Sequence, residues 1–396
     1  MKLSPATLLL TVTGVSGAAI SPRHDGKALY FLDNNPAGAS VVALQISEKD
    51  GTLSNPVRTF TGGVGLLGLT GTGAPGMSDT TFSQDIVVVS GNQLFTVSPG
   101  SNTLSVFAIS PTNPSTLTPV GAPISTGGGD FPNSVAFSHA LHLACVLNTG
   151  VKAGVACFHV DTRTGVTPSG DFVPLPGINQ ASNPPTGPPN TGSDIVFNPS
   201  STALFVTVKG DGTNPGYIYA FPVVGDKISA KGVVVSRPPE LLIDFSISFF
   251  GRDDTRAVVT DPAYGASFVE VSYPSLEVKV TKQVVVANQG ATCWSVFSER
   301  FNAVFIFDGG NPNVTTLDPA TGDVKYTIVG PTGKGGSFDS IASGKYLYVL
   351  QGAAGISVFS LEGSVGAHKV PKLVQSLELS GLGSRQGWMG LAVYPN

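Results

Sequence analysis

Charged residues are scarce in this sequence: Lys, Arg, Asp and Glu make up 12% of it, and the formal net charge is -4. The basic residues are scattered and form no stripe that could follow a phosphate backbone, so we do not expect nucleic-acid binding. Runs of helical period longer than a couple of turns are also missing. The short motifs G-x-S-x-G, H-E-x-x-H, the P-loop and the Rossmann fingerprint are absent. A function must therefore be argued from the architecture.

What the chain does contain is glycine (49 residues), proline (30 residues) and short runs of Val, Ile, Phe and Thr between turn residues. This composition is typical of an all-β protein. Similar apolar strands recur roughly every fifty residues, a period typical of four-stranded propeller blades. They lie at 85–90, 134–138, 194–199, 245–250, 294–298, 338–343 and 387–396.

The last of these strands ends the chain and has no sheet of its own. The first unit lacks an inner strand of its own. It has three strands only, at Ala28–Leu32, Ser40–Ile46 and Val57–Phe60. Pairing the C-terminal strand with the N-terminal blade would close the ring and leave no exposed edge. We therefore predict an all-β, seven-bladed β-propeller that occupies residues 19–396 as one domain.

The N-terminus has the features of a secretory signal: Lys2, an apolar run from Leu8 to Val15, then small residues from Ser16 to Ala19. The run is too short to cross a bilayer. We interpret residues 1–18 as a signal peptide, with an ordinary first strand as the alternative. The mature protein is then expected in the secretory pathway or outside the cell, without a membrane span.

Two of the three cysteines, Cys145 and Cys157, flank a segment that favours a hairpin turn, Asn148–Gly154. Such a hairpin would place them opposite each other, either as a disulfide or as two buried thiols. Cys293 has no partner. Asn313 begins an Asn-Val-Thr acceptor for N-glycosylation.

Two connections, 61–83 and 171–193, are much longer than the others. Both run from an outer strand to the next inner strand, so both should lie on the same face of the disc. Connections of this length in a compact domain are usually functional or disordered. They are predicted to form either a lid or a pair of slack surface loops.

Residues at the start of each inner strand converge on the propeller axis. Both tryptophans fall there beside other large apolar side chains, which suits a flat apolar ligand, although packing between blades would explain them equally. The predicted substrate-binding residues, with two from neighbouring turns, are Phe131, Trp294, Phe338, Trp388, Met389, Lys209 and Tyr264.

Polar residues share this axis. Each of Asp85, Asp194, Asp244 and Asp339 could cap a strand; together they could hold a divalent cation, or one could be kept protonated as an acid. We predict Asn133, Asp194 and Asp339 as catalytic donors or acid, and no cofactor other than that cation. None of the five histidines falls on the predicted axis.

Three segments carry a family resemblance: Pro132–Ser138, Cys145–Cys157 and Leu204–Gly210. In them the sequence resembles the fungal lactonase-type seven-bladed propellers known as 3-carboxymuconate cyclase-like. The resemblance implies lactonase or lactone-forming chemistry. Lactone-forming members carry a histidine where this chain has Asn133, and an amide cannot transfer a proton near neutral pH.

Secreted propellers of this kind also resemble the hetero-Diels–Alderases of tropolonic sesquiterpenoid biosynthesis. This implies that a quinone methide, formed from a tropolone alcohol by loss of water, is joined to a terpene alkene. Such a reaction needs two partners held together in a dry pocket and one acid.

Three functions follow: a cyclising enzyme of secondary metabolism, a lactonase with or without a metal, and a secreted binding propeller without turnover. All three imply small apolar ligands, and we expect a monomer.

Overall fold

The computed structural model describes residues 26–162, 165–363 and 370–395. Its strands form seven separate sheets, arranged as the blades of a β-propeller. The predicted signal peptide, residues 1–18, lies outside the described residues. Within the described part, no helix is long and apolar enough to cross a membrane.

Blades I to III contain the first thirteen strands and the last one. Blade I is formed by β1 (Lys27–Asp33), β2 (Ser40–Ile46), β3 (Leu53–Phe60) and β31 (Trp388–Tyr394). Blade II is formed by β4 (Val87–Ser90), β5 (Gln93–Ser98), β6 (Thr103–Ile109), β7 (Leu117–Pro119) and β8 (Ile124–Ser125). Blade III is formed by β9 (Pro132–Ser138), β10 (Leu143–Asn148), β11 (Gly154–Asp161), β12 (Gly165–Pro168) and β13 (Val173–Pro174).

Blades IV to VII follow in chain order. Blade IV is formed by β14 (Gly192–Phe197), β15 (Ala203–Val208), β16 (Tyr217–Val224), β17 (Lys227–Ile228) and β18 (Val234–Ser236). Blade V is formed by β19 (Ile247–Phe250), β20 (Asp253–Asp261), β21 (Gly265–Ser272) and β22 (Glu277–Val285). Blade VI is formed by β23 (Thr292–Ser298), β24 (Ala303–Asp308), β25 (Asn313–Leu317) and β26 (Val324–Val329). Blade VII is formed by β27 (Ser337–Ser343), β28 (Tyr346–Gln351), β29 (Gly355–Ser360) and β30 (Lys372–Glu378), and two short 3₁₀ helices, Ser380–Leu382 and Arg385–Gly387, lead from it to β31.

The ring closes as predicted. β31 is antiparallel to β1, with Leu29 opposite Val393 and Tyr30 opposite Ala392. Each blade packs against a neighbour on both faces, so β1 is buried throughout from Ala28 to Asp33 rather than on alternate residues. The first and last described strands, β1 and β31, therefore share blade I.

The predicted disulfide is confirmed. Cys145 and Cys157 face each other in the β10–β11 pair and form a disulfide bond, while Cys293 is a free, buried thiol. Asn313, the glycosylation candidate, is the first residue of β25 and is half-buried. Whether it is modified remains a prediction.

The outer strand of blade III differs from the single run 166–173 that the sequence indicates. It is split into β12 and β13, which both pair with β11. Pro168 cannot donate to the ladder, and Gly170 has φ of +79°, so the strand breaks between them.

Candidate active site in the axial channel

The two long loops meet over one face of the propeller. The main-chain amide of Leu69 donates to the Pro185 oxygen at 2.9 Å, and the Gly187 amide donates to the Leu69 oxygen at 2.8 Å. The ring of Phe82 lies between Gly68 and Gly187, where an added Cβ would come within 2.5 and 2.7 Å of it. The loops 61–83 and 171–193 are therefore joined, and we call them the lid.

From the lid, the segment Ser78–Gln84 enters the axial channel, and we call it the plug. Its residues from Thr80 to Ser83 are at most 1% exposed. Side chains from several blades hold its main chain: Asn133 Nδ2 donates to the Thr81 oxygen at 3.1 Å, and Trp294 Nε1 to the Ser83 oxygen at 3.2 Å. The channel is thus closed on the lid side by the chain itself.

The plug backbone is strained. Ser78 and Phe82 have φ values of 60° and 56°, and Asp85, which directly follows the plug, has a φ value of 59°. Non-glycine residues are uncommon in this left-handed region, and a bulky residue such as Phe82 is an outlier there. Such strain persists only when surrounding contacts impose it, and it is concentrated at functional sites.

The predicted aromatic residues are buried around the plug rather than exposed in an open channel. The Trp294 ring lies between Phe245 and Phe338, with ring centroids 5.0 and 4.8 Å away, and Trp388 packs on Phe31 at 5.1 Å. Both tryptophans therefore pack against aromatic residues of the core, as the alternative interpretation of the sequence expected. Their part in ligand binding stays a prediction.

Phe131 and Met389 are buried as well, but they lie apart from this aromatic group. Met389 belongs to the core between blades I and II, whereas Trp294, Phe338 and Trp388 share the core of blades VI, VII and I. Phe131 is positioned by its amide, which donates to Asn102 Oδ1 at 2.9 Å. The structure therefore does not bring all the predicted apolar residues to one surface.

Lys209 is completely buried and holds the plug from blade IV. Its Nζ donates to the Phe82 oxygen at 2.6 Å and to Thr191 Oγ1 at 3.1 Å, and lies 4.7 Å from the centre of the Phe245 ring. Burial lowers the pKa of Lys209 to about 7, against the opposing attraction of Asp79 and other acidic groups. An amine with this pKa exchanges protons readily at neutral pH.

Tyr264 and Asn133 have their polar groups partly committed to protein contacts. The Tyr264 hydroxyl lies 2.7 Å from Ser267 Oγ, and burial raises its pKa. Asn133 Nδ2 donates to the Thr81 oxygen and, at 2.8 Å, to the Gly192 oxygen. Asn133 Oδ1 has no partner within the described chain. Asn133 thus positions the plug.

The opposite face of the propeller has an opening that reaches the axis, which we call the mouth. Its volume is about 380 Å³. It lies at the turns between inner and second strands, and Asp85 is at its inner end. No lysine or arginine lines it; the lining residues are Asp85, Val196, Phe197, Pro199, Ile247, Ser248, Phe249, Gly251, Phe297 and Glu299.

Three carboxyl groups, those of Asp85, Asp194 and Asp339, interact across the axis. Burial raises the pKa of Asp85 to about 6. Burial, followed by the charge of Asp85, raises the pKa of Asp194 well above its ordinary value. The pKa of Asp339 is raised in the same way, by burial and then by the charges of Asp79 and Asp85. Because like charges cannot all ionise in a dry channel, these groups retain their protons to a higher pH than an ordinary aspartate does.

The hydrogen bonds of these carboxyl groups leave one oxygen of Asp194 without a partner among the described residues. Asp194 Oδ2 accepts from the Ile247 amide at 3.0 Å, whereas its Oδ1 has no partner in the described chain. Asp244 stands apart from the three, near Lys209, with its pKa raised by burial and then by the charge of Asp261.

No three His, Cys, Asp or Glu side chains of the described residues assemble into a metal-binding group. The cation alternative remains a prediction without an assembled ligand set.

Sequence reasoning missed two charged residues of this site: Asp79, which is partly buried, and Arg385, which is buried. Asp79 Oδ1 accepts from the Phe82 amide at 2.8 Å and so shapes the plug. Burial raises the pKa of Asp79 to about 6. Both residues lie in connections outside the repeat. In the sequence, each could have been singled out as a charged residue in a connection that has no other charged residue.

The histidines lie away from the axis among the described residues. His139, His142 and His159 line a groove of about 840 Å³ between blades II and III. This agrees with the sequence prediction for the residues concerned.

Comparison with known proteins supports the fold. No family model and no curated protein matches the chain. Its structure is similar to a periplasmic gluconolactonase of Pseudomonas aeruginosa, with TM-score 0.63 and 15% identity over 89% of this chain and 96% of that one. A putative 6-phosphogluconolactonase of Bacteroides fragilis gives TM-score 0.63 and 12% identity over 94% and 99%. A similar protein of Bacteroides uniformis gives 0.59 and 14% over 90% and 98%. At these identities the likeness establishes the shared propeller fold, which hosts more than one function.

Proposed function

We propose that this chain is an enzyme of the cyclase or lactonase type that acts on small, mainly apolar molecules in its axial channel. The observation that carries the proposal is the set of three interacting axial carboxyl groups, Asp85, Asp194 and Asp339, behind an apolar mouth. A pocket with apolar walls and a few polar groups of shifted pKa is the expected form of an enzyme site.

The protonated carboxyl groups would act as general acids. A neutral acid in a channel screened from water can donate a proton to a leaving hydroxyl or to a carbonyl oxygen. The wall residues Phe197, Phe249 and Phe297 would hold an apolar ring or chain beside it. Asp85 is the member of the set that lines the mouth, and it would meet a substrate first.

The finer form of the proposal is a hetero-Diels–Alder reaction. An axial carboxylic acid protonates the hydroxyl of a tropolone alcohol, the C–O bond breaks with its electron pair, and water leaves. The substrate gives up its ring hydroxyl proton, which restores the acid, and the neutral quinone methide forms. Two new σ bonds to a terpene alkene then form without further proton transfer. The channel contributes proximity and exclusion of water.

The second candidate is hydrolysis of a lactone, which the fold of the named gluconolactonases favours. Here an ionised axial carboxylate would activate water as a general base. A phosphorylated sugar lactone suits the mouth poorly, because Asp85 and Glu299 repel an anion and no cationic side chain lines it. A neutral lactone with an apolar body would fit better.

The two chemistries have opposite pH profiles. An acid-catalysed cyclisation loses rate as pH rises through the pKa of its acid, which is about 6 for Asp85 and is also raised for Asp194 and Asp339, whereas base-catalysed lactone hydrolysis gains rate as the same group ionises. A propeller that only binds ligands would show no turnover at any pH.

The test is incubation of the purified protein with a quinone-methide precursor and a humulene-type alkene, and separately with a panel of neutral lactones. We expect faster, stereochemically enriched cycloadduct formation, reduced about a hundredfold in Asp339→Asn. Asp318→Asn, on the outer rim, should match the unmodified protein. Product yield and stereochemistry equal to buffer alone would overturn the cyclase form, and an inert lactone panel as well would overturn the enzyme proposal.

A further inference from the structure

Arg385 is a buried arginine at the lid side of the channel. It is 9% exposed and belongs to the short helix before β31. Its Nε donates to the Gln351 oxygen at 2.5 Å, and its Nη1 to the Trp388 oxygen at 2.8 Å and the Ser78 oxygen at 3.2 Å. All its partners are therefore main-chain carbonyls, which are neutral.

The guanidinium has no carboxylate partner. None of the ion pairs among the described residues includes Arg385. Burying an arginine charge without an anion is costly, and natural proteins rarely do so without a reason. The Asp339 and Asp79 charges act on it from a distance, while burial lowers its pKa to about 10, so it remains a cation at neutral pH.

Other polar groups beside Arg385 are also unpartnered within the described residues. They are Arg385 Nη2, Trp388 Nε1, Gln351 Nε2 and Oε1, and Ser337 Oγ. Gln351 and Trp388 are the residues whose carbonyls the guanidinium contacts, and Ser337 is paired with Gln351 in the β27–β28 register. Each side chain is at least nine-tenths buried.

Buried polar groups in native proteins are nearly always satisfied, and one left without a partner destabilises the fold. Nearly all the unpartnered groups around Arg385 can donate a hydrogen bond: a guanidinium, an indole, an amide and a hydroxyl. Together these residues, which are linked to Arg385 through main-chain hydrogen bonds and strand register, provide one positive charge and several donors. Their common complement is an anionic oxygen.

An aromatic face adjoins these donors. The Arg385 guanidinium lies 5.0 Å from the centre of the Phe338 ring, which packs on Trp294. A flat ligand that carries the anionic oxygen would stack against aromatic rings while the oxygen meets the donors. Asp339 follows Phe338 directly, so such a ligand would lie beside an axial acid.

We propose that Arg385, Gln351, Trp388 and Ser337 form a binding site for the anionic oxygen of a flat organic molecule, a carboxylate or an ionised enol. The plug covers the site through the bond from Arg385 to the Ser78 oxygen. A charged oxygen binds a guanidinium more strongly than a carbonyl does, so the ligand displaces Ser78 and loosens the plug. The inference goes beyond the proposed function, because this ligand reaches the channel from the lid side and not through the mouth, where Asp85 and Glu299 repel an anion.

The test uses binding rather than turnover, with benzoate as the probe and benzamide as its neutral counterpart. Isothermal titration should show benzoate binding, with benzamide weaker by about tenfold or more. Arg385→Gln should weaken benzoate by about tenfold or more. The matched control is Arg256→Gln, because Arg256 also donates to a carbonyl, that of Pro319, and lies over a phenylalanine ring, but in blade V.

Three further measurements secure the outcome. Should Arg385→Gln fail to fold, Trp388→Phe and Ser337→Ala must each weaken benzoate binding, since each removes one donor. Benzoate should also accelerate hydrogen exchange at the Phe82 amide in the plug. Equal binding of benzoate and benzamide, unchanged binding in Arg385→Gln, or no benzoate binding to the unmodified protein would each overturn the inference. Loss of turnover in Asp339→Asn, observed alongside such a result, would leave the proposed function standing.

Discussion

The side-chain oxygen of Gln84 accepts a hydrogen bond of 3.0 Å from the main-chain amide of Ser295, which lies 211 residues further along the chain. Gln84 precedes the inner strand of blade II and Ser295 belongs to that of blade VI, so this bond spans the opening of the ring. Lys209, Arg385 and Asp79 hydrogen-bond the plug on the lid side, whereas Asp85 and Glu299 line the mouth. The two ends of the axial channel therefore carry different charged groups.

The packing of the Phe82 ring against Gly68 provides the first prediction. In Gly68→Ala the new Cβ would lie 2.5 Å from Phe82 Cε2 and 2.8 Å from the Thr80 oxygen, so the ring must move. We expect a loss of roughly 1–3 kcal/mol in the free energy of unfolding and faster proteolysis of the lid. Gly71→Ala, in the same loop with nothing within 4 Å of its added Cβ, is the control. Equal proteolysis of the two variants would contradict the packing of Phe82 against Gly68.

The disulfide provides the second prediction. Cys145 and Cys157 are separated by 12 residues, and cross-linking a loop of this length stabilises by roughly 2–4 kcal/mol, largely by restricting the unfolded chain. The double variant Cys145→Ala with Cys157→Ala should melt at lower temperature than the unmodified protein. Reductant should destabilise the unmodified protein and leave the double variant unchanged. A reductant effect of equal size in both would contradict this assignment.

Lys209 provides the third prediction. Its pKa in the folded protein, about 7, lies below its ordinary value of 10.5. Between these values the unfolded chain binds the proton and the folded chain does not, so the contribution of Lys209 to stability rises with pH across this window and is lowest at and below about pH 7. The raised pKa values of the axial carboxyl groups act in the opposite direction, so the contribution of Lys209 is measured as the difference in unfolding free energy between the unmodified protein and Lys209→Met, by urea unfolding at about pH 7 and about pH 9. This difference should shift in favour of the unmodified protein at the higher pH, whereas Lys231→Met, on the surface, should show no such shift; a Lys209→Met difference that is the same at both pH values would show that Lys209 keeps an ordinary pKa.

The ring and its closure could be predicted from the sequence because they depend on periodicity. The strand from Trp388 to Tyr394 has no neighbour in its own repeat, and β1 lacks one, so the pairing follows by elimination. The hairpin between Cys145 and Cys157 depends on local turn residues, and it too was predictable. Both features involve a pattern that is repeated or local.

The interior of the channel could not be predicted in the same way. The plug depends on a positive φ at Phe82 and on hydrogen bonds from Trp294 and Lys209, which are distant in the sequence. Neither feature can be recognised from the residues around Phe82. Arg385 and Asp79 lie in connections that the repeat does not fix. The convergence of Asp194 and Asp339 was expected from their equivalent positions at the start of inner strands. Whether they act as catalytic groups stays a prediction.

The central claim is that the axial carboxyl groups hold their protons to a higher pH than ordinary aspartates, and carbon-13 NMR of aspartate-labelled protein tests it most directly. We predict that Asp85 titrates at about 6 and that Asp194 and Asp339, assigned by substitution with asparagine, titrate well above the ordinary aspartate value. If all three signals instead titrate near the ordinary aspartate value of 3.8, the channel holds no acid and the account is contradicted.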